Sequence, residues 1–315
     1  MQFPIINLIG PTACGKSDIA ISLAKQLPIS IISVDSTLIY RGMNIGTAKP
    51  TAEIRAAIPH YLIDICEPSA CYSAGQFATA TSELITQIQQ QQRIPLLVGG
   101  TMLYFKALYQ GLANLPTANP IIRQYVENLA LSLGWEHCHH LLKKLDPQSG
   151  ERIHPNDPQR IQRALEVYYL TGKPLSDHWQ ANKLLLPNNI HYLTIALYPH
   201  HRQQLHQRIE QRFDQMLDQG FIEEVKTLFQ DPQLHPDLPS MRAVGYRQIW
   251  QYLNGEIDFN TMRLNAIAAT RQLAKRQLTW LKTWPNVDYW IDPFIKTQIA
   301  DDIIAKFQLL NLVSS

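Results

Sequence analysis

The sequence predicts an α/β fold with a parallel-sheet core, an inserted all-helical domain and a helical C-terminal part. Short apolar runs of strand length alternate with amphipathic helical segments in the first third of the chain. A glycine-rich segment joins the first apolar run to the first helix, and the middle of the chain is helical in pattern. Alternation of strands and helices is typical of a parallel sheet covered by helices.

Four predominantly apolar runs are predicted to form the strands. They are residues 3–9, 29–34, 94–98 and 191–197. Continuous apolar runs, as opposed to alternating ones, are expected where a strand is buried on both faces. Helices are expected after the first strand, over 74–92 and from Gln203 onward, where apolar residues recur at helical spacing.

The chain length of 315 residues suggests about two domains. Two prolines and several small polar residues over 114–120 indicate a boundary, and the helical pattern then continues to about Leu186. We therefore expect a core formed by 1–115 and 188–315, and a helical insertion domain over 116–187.

Composition excludes several classes of protein. Hydrophobic residues make up 45% of the chain, charged residues 17%, and the mean hydropathy is -0.17. No apolar run approaches the roughly 18 residues that a membrane span needs. The opening MQFPIINLIG lacks a basic segment and a cleavage site, and the four cysteines form no C-x-x-C pair. We expect a cytoplasmic monomer without a membrane anchor, a disulfide framework or structural zinc.

The net charge is +2, so the chain as a whole is not a polycation. Between residues 240 and 282, however, the sequence has seven basic residues and only two acidic ones. Such a stretch indicates either a surface for a polyanion or a solvated helix face, and charge alone leaves both interpretations open.

The segment 10–17, GPTACGKS, matches the phosphate-binding pattern G-x-x-x-x-G-K-[ST] and lies between a predicted strand and a helix. In this pattern backbone N–H groups and the helix N-terminus surround a phosphate, Lys16 adds a full positive charge and the Ser17 hydroxyl can ligate Mg²⁺. A P-loop NTPase-like core that binds a di- or triphosphate is predicted. The residues of this phosphate loop are Gly10, Pro11, Thr12, Ala13, Cys14, Gly15, Lys16 and Ser17.

Nucleotide sites of this type usually add an acid at the end of a neighbouring strand. The predicted strand 94–98 is followed by Gly99, Gly100 and Thr101 instead, with no acid. Asp35, at the end of the strand 29–34, is the acid best positioned to reach the loop. It is either a catalytic base or, alternatively, a helix N-cap or an indirect partner of Mg²⁺.

Six sequence blocks in one order carry a family resemblance. They are GPTACGKS, SVDSTLIYRGMNIGTAKP (33–50), LLVGGTMLYFKAL (96–108), HPNDPQRIQRALEVY (154–168), MRAVGYRQ (241–248) and RQLAKRQLTWL (271–281). Together they resemble the bacterial tRNA dimethylallyltransferases of the IPP transferase family. A generic P-loop protein would share only the first block.

The resemblance implies transfer of a dimethylallyl group from dimethylallyl diphosphate to N6 of adenosine 37, in tRNAs that read codons beginning with U. It implies that Asp35, Thr101 and Lys16 are catalytic, and that the phosphate loop, with Mg²⁺ on Ser17, binds the donor diphosphate. Arg208 and Arg212 lie one helical turn apart and share a face, so one of them is expected to reach the diphosphate. For Thr101 a helix cap, and for either arginine a surface position, remain alternatives.

The resemblance also implies contacts with the anticodon stem-loop of tRNA, whose unstacked bases can be turned into a pocket. The implied residues are Asp35, Ser36, Thr37, Leu38, Arg123, Gln159, Arg160, Ile161, Gln162, Arg163, Ser240, Met241, Arg242, Ala243, Val244, Gly245, Lys275, Arg276, Gln277, Leu278, Thr279, Trp280, Leu281 and Lys282. Without the resemblance, 159–163 would be the start of a solvated helix.

Two positions depart from the family pattern. Cys14 replaces a common serine inside the loop, where a helix N-terminus could lower the pKa of the thiol and favour its oxidation, although the phosphate needs only its backbone N–H. Leu38 replaces a common glutamine, so a side-chain hydrogen bond to the base is in doubt. A P-loop small-molecule kinase and a non-catalytic RNA-binding module remain the competing hypotheses.

Overall fold

The structure, a computed structural model, describes residues 4–111, 115–180, 192–295 and 298–309. Its packing divides the chain into two units, which we describe separately. The core unit comprises Met1–Phe105 and Leu186–Ser315, and the insertion unit comprises Lys106–Leu185. The sequence-based domain assignment, with its tRNA contact, stays a prediction.

A parallel sheet forms the centre of the core unit. In the described part of the chain it has six strands in the order β3-β2-β4-β1-β5-β6. The strands are β1 (Ile5–Ile9), β2 (Ile29–Val34), β3 (His60–Tyr61), β4 (Ile94–Gly99), β5 (Tyr192–Leu197) and β6 (Tyr289–Ile291). All neighbouring pairs run parallel, so the predicted α/β fold class is confirmed.

The four predicted strands are the central ones, and every residue of β1, β2 and β4 is buried. The two edge strands, β3 and β6, were not predicted. They are two and three residues long, and Trp290 in the middle of β6 is exposed, so neither shows the long apolar run that marks a buried strand. Phe3 and His191, which the predicted strands included, lie outside the described residues.

α-Helices form most of the remaining regular structure of the described residues. They are α1 (Lys16–Gln26), α2 (Ala52–Ala57), α3 (Ala74–Gln90), α4 (Met102–Gln110), α5 (Pro120–Leu145), α6 (Pro147–Arg152), α7 (Pro158–Thr171), α8 (Arg202–Asp218), α9 (Phe221–Phe229), α10 (Tyr246–Leu253), α11 (Phe259–Lys282) and α12 (Ile299–Leu309). Among the described residues, every helix is too short or too polar to cross a membrane.

Local sequence explains where several helices begin and end. α3 begins with a capping box, in which Ser73 and Gln76 bond to each other's backbone N–H groups. It ends two residues before the predicted position because Gln92 has a left-handed backbone with φ 55°. α11 is capped by Asp258, whose carboxylate accepts a hydrogen bond from the N–H of Thr261 at 2.7 Å.

Two apolar clusters stabilise the core unit. The first joins the sheet to α1 and α12, through residues such as Leu23 and Ile303. The second joins the C-terminal helices α8 to α11 and includes Phe213, Phe221 and Tyr246, which pack edge to face. This second cluster positions α8 and α11, which, as the next subsection describes, line a cavity together with the loops at the end of the sheet.

The insertion unit has its own apolar core between α5 and α7, with Val126, Leu142 and Ile161 fully or almost fully buried. Gly134 interrupts α5 with φ 84°, so this element is two consecutive helices. His139 is buried, and its Nε2 atom donates to the carbonyls of Gly150 and Ile153 at 3.0 and 2.8 Å. This histidine therefore ties α5 to the chain around α6.

A buried ion cluster stabilises the same unit. The carboxylate of Glu166 is fully buried and accepts hydrogen bonds from Arg123 at 3.0 Å, from Arg163 at 2.6 Å and from the N–H of Asn119 at 2.7 Å. Burial raises the pKa of Glu166, but these hydrogen bonds outweigh it, and the pKa lies below its ordinary value of 4.5.

We predict that Glu166→Gln destabilises the insertion unit by about 2 kcal/mol, because it leaves two partly buried guanidinium groups without their counter-charge. The free energy of opening of α7, measured by hydrogen exchange and mass spectrometry, checks this. Glu151→Gln, a change of an exposed acid in the same unit, is the matched control and should leave α7 unchanged.

The stabilisation that Glu166 provides should depend on pH. A carboxylate whose pKa is lowered by folding stabilises the fold above its unfolded pKa, near 4.5, and loses that contribution as the pH falls through the lowered value. The difference between wild type and Glu166→Gln should be complete at pH 7 and shrink below pH 4.5. A difference that is constant with pH would contradict the ionised cluster.

Candidate active site

The parallel register of three strands brings three chemically important segments to one edge of the sheet. Ile9 of β1 and Val34 of β2 are both register partners of Gly99 in β4. The residues that follow these strands, namely the phosphate loop, Asp35 and Gly100, therefore emerge side by side. Ligands bind in α/β proteins at this carboxyl end of the strands.

The phosphate loop turns directly from β1 into α1. Gly15 precedes the helix with φ 87°, a left-handed conformation that favours glycine, and no side chain caps the helix there. The first N–H groups of α1 thus face the loop without an internal partner, as an anion site requires. The ammonium group of Lys16 folds back onto the carbonyl of Pro11 at 2.6 Å.

Cys14 lies inside this loop with only 1% of its surface exposed. Its Sγ atom lies 3.8 Å from the Lys16 ammonium and is part of the apolar cluster beneath the sheet. The sequence left open whether this thiol is readily oxidised. Its burial argues against oxidation, because an oxidant needs access to the sulfur.

Asp35 directly follows β2 and forms a tight turn. Its Oδ1 atom accepts hydrogen bonds from the Thr37 N–H at 2.8 Å, from the Thr37 hydroxyl at 2.6 Å and from the Leu38 N–H at 3.4 Å. Its Oδ2 atom has no hydrogen-bond partner among the described residues. The carboxylate is thus held by one oxygen, while the other remains available to a ligand. No helix starts here, so Asp35 is not a helix N-cap.

Thr101 follows Gly100 and immediately precedes α4. Its hydroxyl oxygen accepts a hydrogen bond from the Ser36 N–H at 3.2 Å. The hydroxyl therefore connects the end of β4 to the turn that carries Asp35. Among the described residues it accepts no hydrogen bond from the N–H groups of α4, so the alternative of a helix cap is not what the structure shows.

Arg208 and Arg212 project from the same face of α8. Arg212 is half-buried and makes no hydrogen bond or ion pair with the described residues. Burial lowers the pKa of its guanidinium, and the negative charge of Asp35 opposes that effect, but an arginine remains protonated. Arg208 is exposed and lies over the ring of Phe294 at 5.0 Å. A half-buried cation with no ion-pair partner among the described residues is suited to an anionic ligand.

Lys16, Asp35, Arg208 and Arg212 line one cavity of about 470 Å³ in the core unit, which we call the strand-end cavity. Cys14 and Thr101 are not among its lining residues. Its polar and charged lining comes from the phosphate loop, the ends of β2 and β4, and the helices α1, α8 and α11. An apolar part is formed by Leu38, Ile45, Ala48 and Met216. The lining residues are Thr12, Ala13, Gly15, Lys16, Ser17, Asp18, Asp35, Leu38, Ile45, Thr47, Ala48, Gly100, Arg208, Gln211, Arg212, Gln215, Met216, Gln219 and Gln277.

The predicted tRNA-binding residues of the core unit differ in exposure. The exposed ones are Ser36, Arg242, Lys275, Arg276, Thr279, Trp280 and Lys282, and the half-buried ones are Asp35, Thr37, Leu38, Ala243, Val244 and Gln277. Ser240, Met241, Gly245, Leu278 and Leu281 are buried. The side chains of Ser240, Met241, Leu278 and Leu281 pack inside the protein, as does the backbone of Gly245. The tRNA contact of these segments stays a prediction.

The predicted tRNA-binding residues of the insertion unit also divide in two. Gln159 and Arg160 are exposed at the start of α7. Ile161 is fully buried in the apolar core, because it lies on the face of α7 that packs on α5. Gln162 bonds to Glu127 at 2.9 Å, and Arg123 and Arg163 hold Glu166. Arg160 is therefore the cation of segment 159–163 that is most accessible, with 71% of its side chain exposed.

Sequence reasoning missed part of the cavity wall. Gln211, Gln215 and Gln219 share the face of Arg208 and Arg212, and the spacing of three and four residues was a signal that could have found them. No local pattern in the sequence indicates which residue holds the backbone around Ile45 in place. Glu224, on α9, accepts hydrogen bonds from the N–H groups of residues 44–46 at 2.7–3.2 Å, a contact across about 180 positions of sequence.

Comparison with known proteins supports one family. The family model described as IPP transferase matches residues 38–284. The chain is 55% identical to the tRNA dimethylallyltransferase of Thioalkalivibrio sulfidiphilus (strain HL-EbGR7) over 289 residues. This alignment covers 91% of this chain and 90% of that protein.

Solved structures agree with the sequence match. The tRNA isopentenylpyrophosphate transferase of Bacillus halodurans is 36% identical, with a TM-score of 0.69 over 98% of this chain and 96% of that chain. A eukaryotic dimethylallyltransferase, captured in crystals acting on tRNA, is 26% identical, with a TM-score of 0.81 over 98% of this chain and 80% of that chain. From the family match and these identities it follows that the chain belongs to the IPP transferase family.

Proposed function

We propose that the protein transfers the dimethylallyl group of dimethylallyl diphosphate to N6 of adenosine 37 in tRNAs that read codons beginning with U. One observation carries this proposal: residues of the phosphate loop and Asp35, which has one carboxylate oxygen without a hydrogen-bond partner among the described residues, line the same strand-end cavity. An anion site and a proton acceptor are the two functions that the reaction needs. Family membership supports the same chemistry, because relatives in this family are named for it.

The donor diphosphate is bound by the phosphate loop. Backbone N–H groups at the start of α1 and the ammonium of Lys16 donate hydrogen bonds to its oxygens, and Arg208 and Arg212 face it from α8. These donors are fixed before the reaction, so they stabilise the charge that grows on the diphosphate as the carbon–oxygen bond breaks. The apolar side chains Leu38, Ile45, Ala48 and Met216 offer a surface for the five-carbon group.

The residues present also fit Mg²⁺. Among the described residues no cluster of three or more His, Cys, Asp or Glu could hold a metal alone, but Ser17 and Asp18 line the cavity at the start of α1. Mg²⁺ typically binds one or two protein oxygens and takes its remaining ligands from phosphate and water. Ser17 is the residue that would hold it, and the ion would neutralise charge on the leaving diphosphate.

The acceptor amine is activated by Asp35. The exocyclic nitrogen of adenine is a weak nucleophile, since its lone pair is delocalised into the ring. As N6 bonds to the terminal carbon of the donor and diphosphate leaves, N6 loses one proton, and the Asp35 carboxylate, which lines the same cavity as the phosphate loop, accepts it. The Thr101 hydroxyl, which holds the Ser36 N–H beside Asp35, keeps its own proton available for a hydrogen bond to the reacting groups.

The tRNA partner is recognised through exposed cations. In the core unit these are Arg242, Lys275, Arg276 and Lys282, and in the insertion unit Arg160 is the most exposed of the predicted contacts. Phosphate neutralisation by such residues gives affinity, and extrusion of one loop base gives access to the cavity. The protein is proposed to work as a cytoplasmic monomer.

Transfer of label tests the proposal directly. Incubation with isotopically labelled dimethylallyl diphosphate and unmodified tRNA should place the label on adenosine 37, detected by nuclease digestion and mass spectrometry. Turnover of ATP without labelled RNA would favour a small-molecule kinase. RNA binding without any transfer, even in a single turnover, would favour a non-catalytic RNA-binding module.

We predict that Asp35→Asn lowers the single-turnover rate by about 10²–10⁴-fold and changes tRNA affinity by less than twofold. Asparagine keeps the oxygen that forms the turn and removes only the proton acceptor. Rapid-quench kinetics and filter binding measure the two quantities. Asp258→Asn is the matched control, because Asp258 caps α11 through a similar hydrogen bond and lies outside the cavity lining. Equal losses of rate and affinity would contradict the base assignment.

We predict that Arg160→Ala weakens tRNA binding and lowers the slope of log affinity against log salt by about one. The exposed guanidinium can neutralise a phosphate and release a counterion. Lys144→Ala removes the same charge from another exposed position of the insertion unit and should leave the slope unchanged. If both variants behave alike, Arg160 belongs to the solvated surface.

A further inference from the structure

The side chain of Gln277 on α11 forms a bridge between two loops of the strand-end cavity. Its Oε1 atom accepts a hydrogen bond from the N–H of Thr12 in the phosphate loop at 2.8 Å. Its Nε2 atom donates to the carbonyl of Gly100, at the end of β4, at 3.0 Å. Both polar atoms of this amide are thus hydrogen-bonded to backbone groups, one in the loop that follows β1 and the other directly after β4.

The bridge is closely packed as well as hydrogen-bonded. A Cβ atom on Gly100 would collide with Nε2 of Gln277 and would come within 2.9 Å of the Gly10 carbonyl. Glycine at position 100 is therefore what allows the amide to lie between the two loops. At position 277, a side chain that lacks one of these two polar atoms would leave either the Thr12 N–H or the Gly100 carbonyl without its hydrogen-bond partner.

The bridge continues to the turn that carries the proposed base. Gly100 is followed by Thr101, whose hydroxyl oxygen binds the Ser36 N–H next to Asp35. The path from Thr12 through Gln277, Gly100 and Thr101 thus connects the phosphate loop to the Asp35 turn by hydrogen bonds and covalent neighbours alone. This path links the phosphate loop to the Asp35 turn in addition to the pairing of β1, β2 and β4.

The resemblance to the family implied that Gln277 contacts tRNA, as part of 275–282. The structure uses this side chain differently from its neighbours. Lys275, Arg276 and Thr279 are exposed, whereas Gln277 is half-buried, lines the cavity and has both ends engaged by the protein. One helix therefore presents an exposed basic face on one side and a loop-binding amide on the other.

We propose that Gln277 is a positioning residue for the donor, which fixes the phosphate loop relative to the Asp35 turn and makes no contact with tRNA. The proposal rests on the proposed function, because it takes the phosphate loop to be the diphosphate site. Loss of the bridge releases the Thr12 end of the loop. The loop then has to be ordered when diphosphate binds, which weakens binding and slows transfer together.

Gln277→Met tests the proposal, because methionine has a similar length and lacks both hydrogen-bonding atoms. We expect the affinity for inorganic pyrophosphate, measured by titration calorimetry, to fall about tenfold, with a similar rise in KM for dimethylallyl diphosphate. The affinity for tRNA should change by less than twofold. Gln272→Met, at an exposed position of the same helix, is the matched control and should leave all three values unchanged.

Three outcomes would overturn the proposal. Lower tRNA affinity with unchanged pyrophosphate affinity would make Gln277 a tRNA contact. Tighter pyrophosphate binding would mean that the amide competes with phosphate for the Thr12 N–H. No change in any value would make the bridge irrelevant. Pyrophosphate binding needs no turnover, so these results stay separate from a wild-type protein that transfers no label.

A measurement on the wild-type protein keeps the proposal testable if Gln277→Met does not fold. The Thr12 amide should be protected from hydrogen exchange in the free protein, because the Gln277 oxygen holds it, and NMR can follow this single amide. Exchange of Thr12 at the rate of an unprotected loop would contradict the bridge.

Discussion

The in-register pairing of β2, β4 and β1 is the constraint on which the rest of the site depends. Because Val34, Gly99 and Ile9 lie side by side, the chain must leave the sheet at three adjacent points. One exit becomes the phosphate loop, one carries Asp35 and the central one supplies Gly100 and Thr101. The spacing of Lys16, Asp35 and the hydrogen bonds that connect their loops is thus set by backbone pairing, which holds them more firmly than flexible surface loops could.

Much of this arrangement could be predicted from local sequence. Buried parallel strands have continuous apolar runs, so β1, β2, β4 and β5 were recognisable, and the phosphate loop follows from its glycines and Lys16. The edge strands β3 and β6 were not recognisable, since strands of two and three residues carry no periodic signal. Family resemblance supplied the reaction and the tRNA contacts, which no periodicity reveals.

What local sequence could not predict are contacts between distant positions. Arg163 was predicted as a tRNA contact, and the structure shows its guanidinium holding the buried Glu166. Gln277 was assigned to tRNA, and its amide joins Thr12 to Gly100 across about 265 and 177 positions. The tRNA contacts of both residues stay predictions, and the contacts that the structure shows depend on how helices pack on the sheet or on each other.

The central claim is that diphosphate and target amine meet between the phosphate loop and Asp35. A crystal structure with an anticodon stem-loop and a donor analogue, in which sulfur replaces the bridging oxygen and prevents reaction, tests it most directly. The account predicts both phosphates on the N–H groups of residues 13–17 and the adenine amine within hydrogen-bond distance of Asp35 Oδ2. Phosphates bound elsewhere, or an amine facing away from that carboxylate, would contradict it.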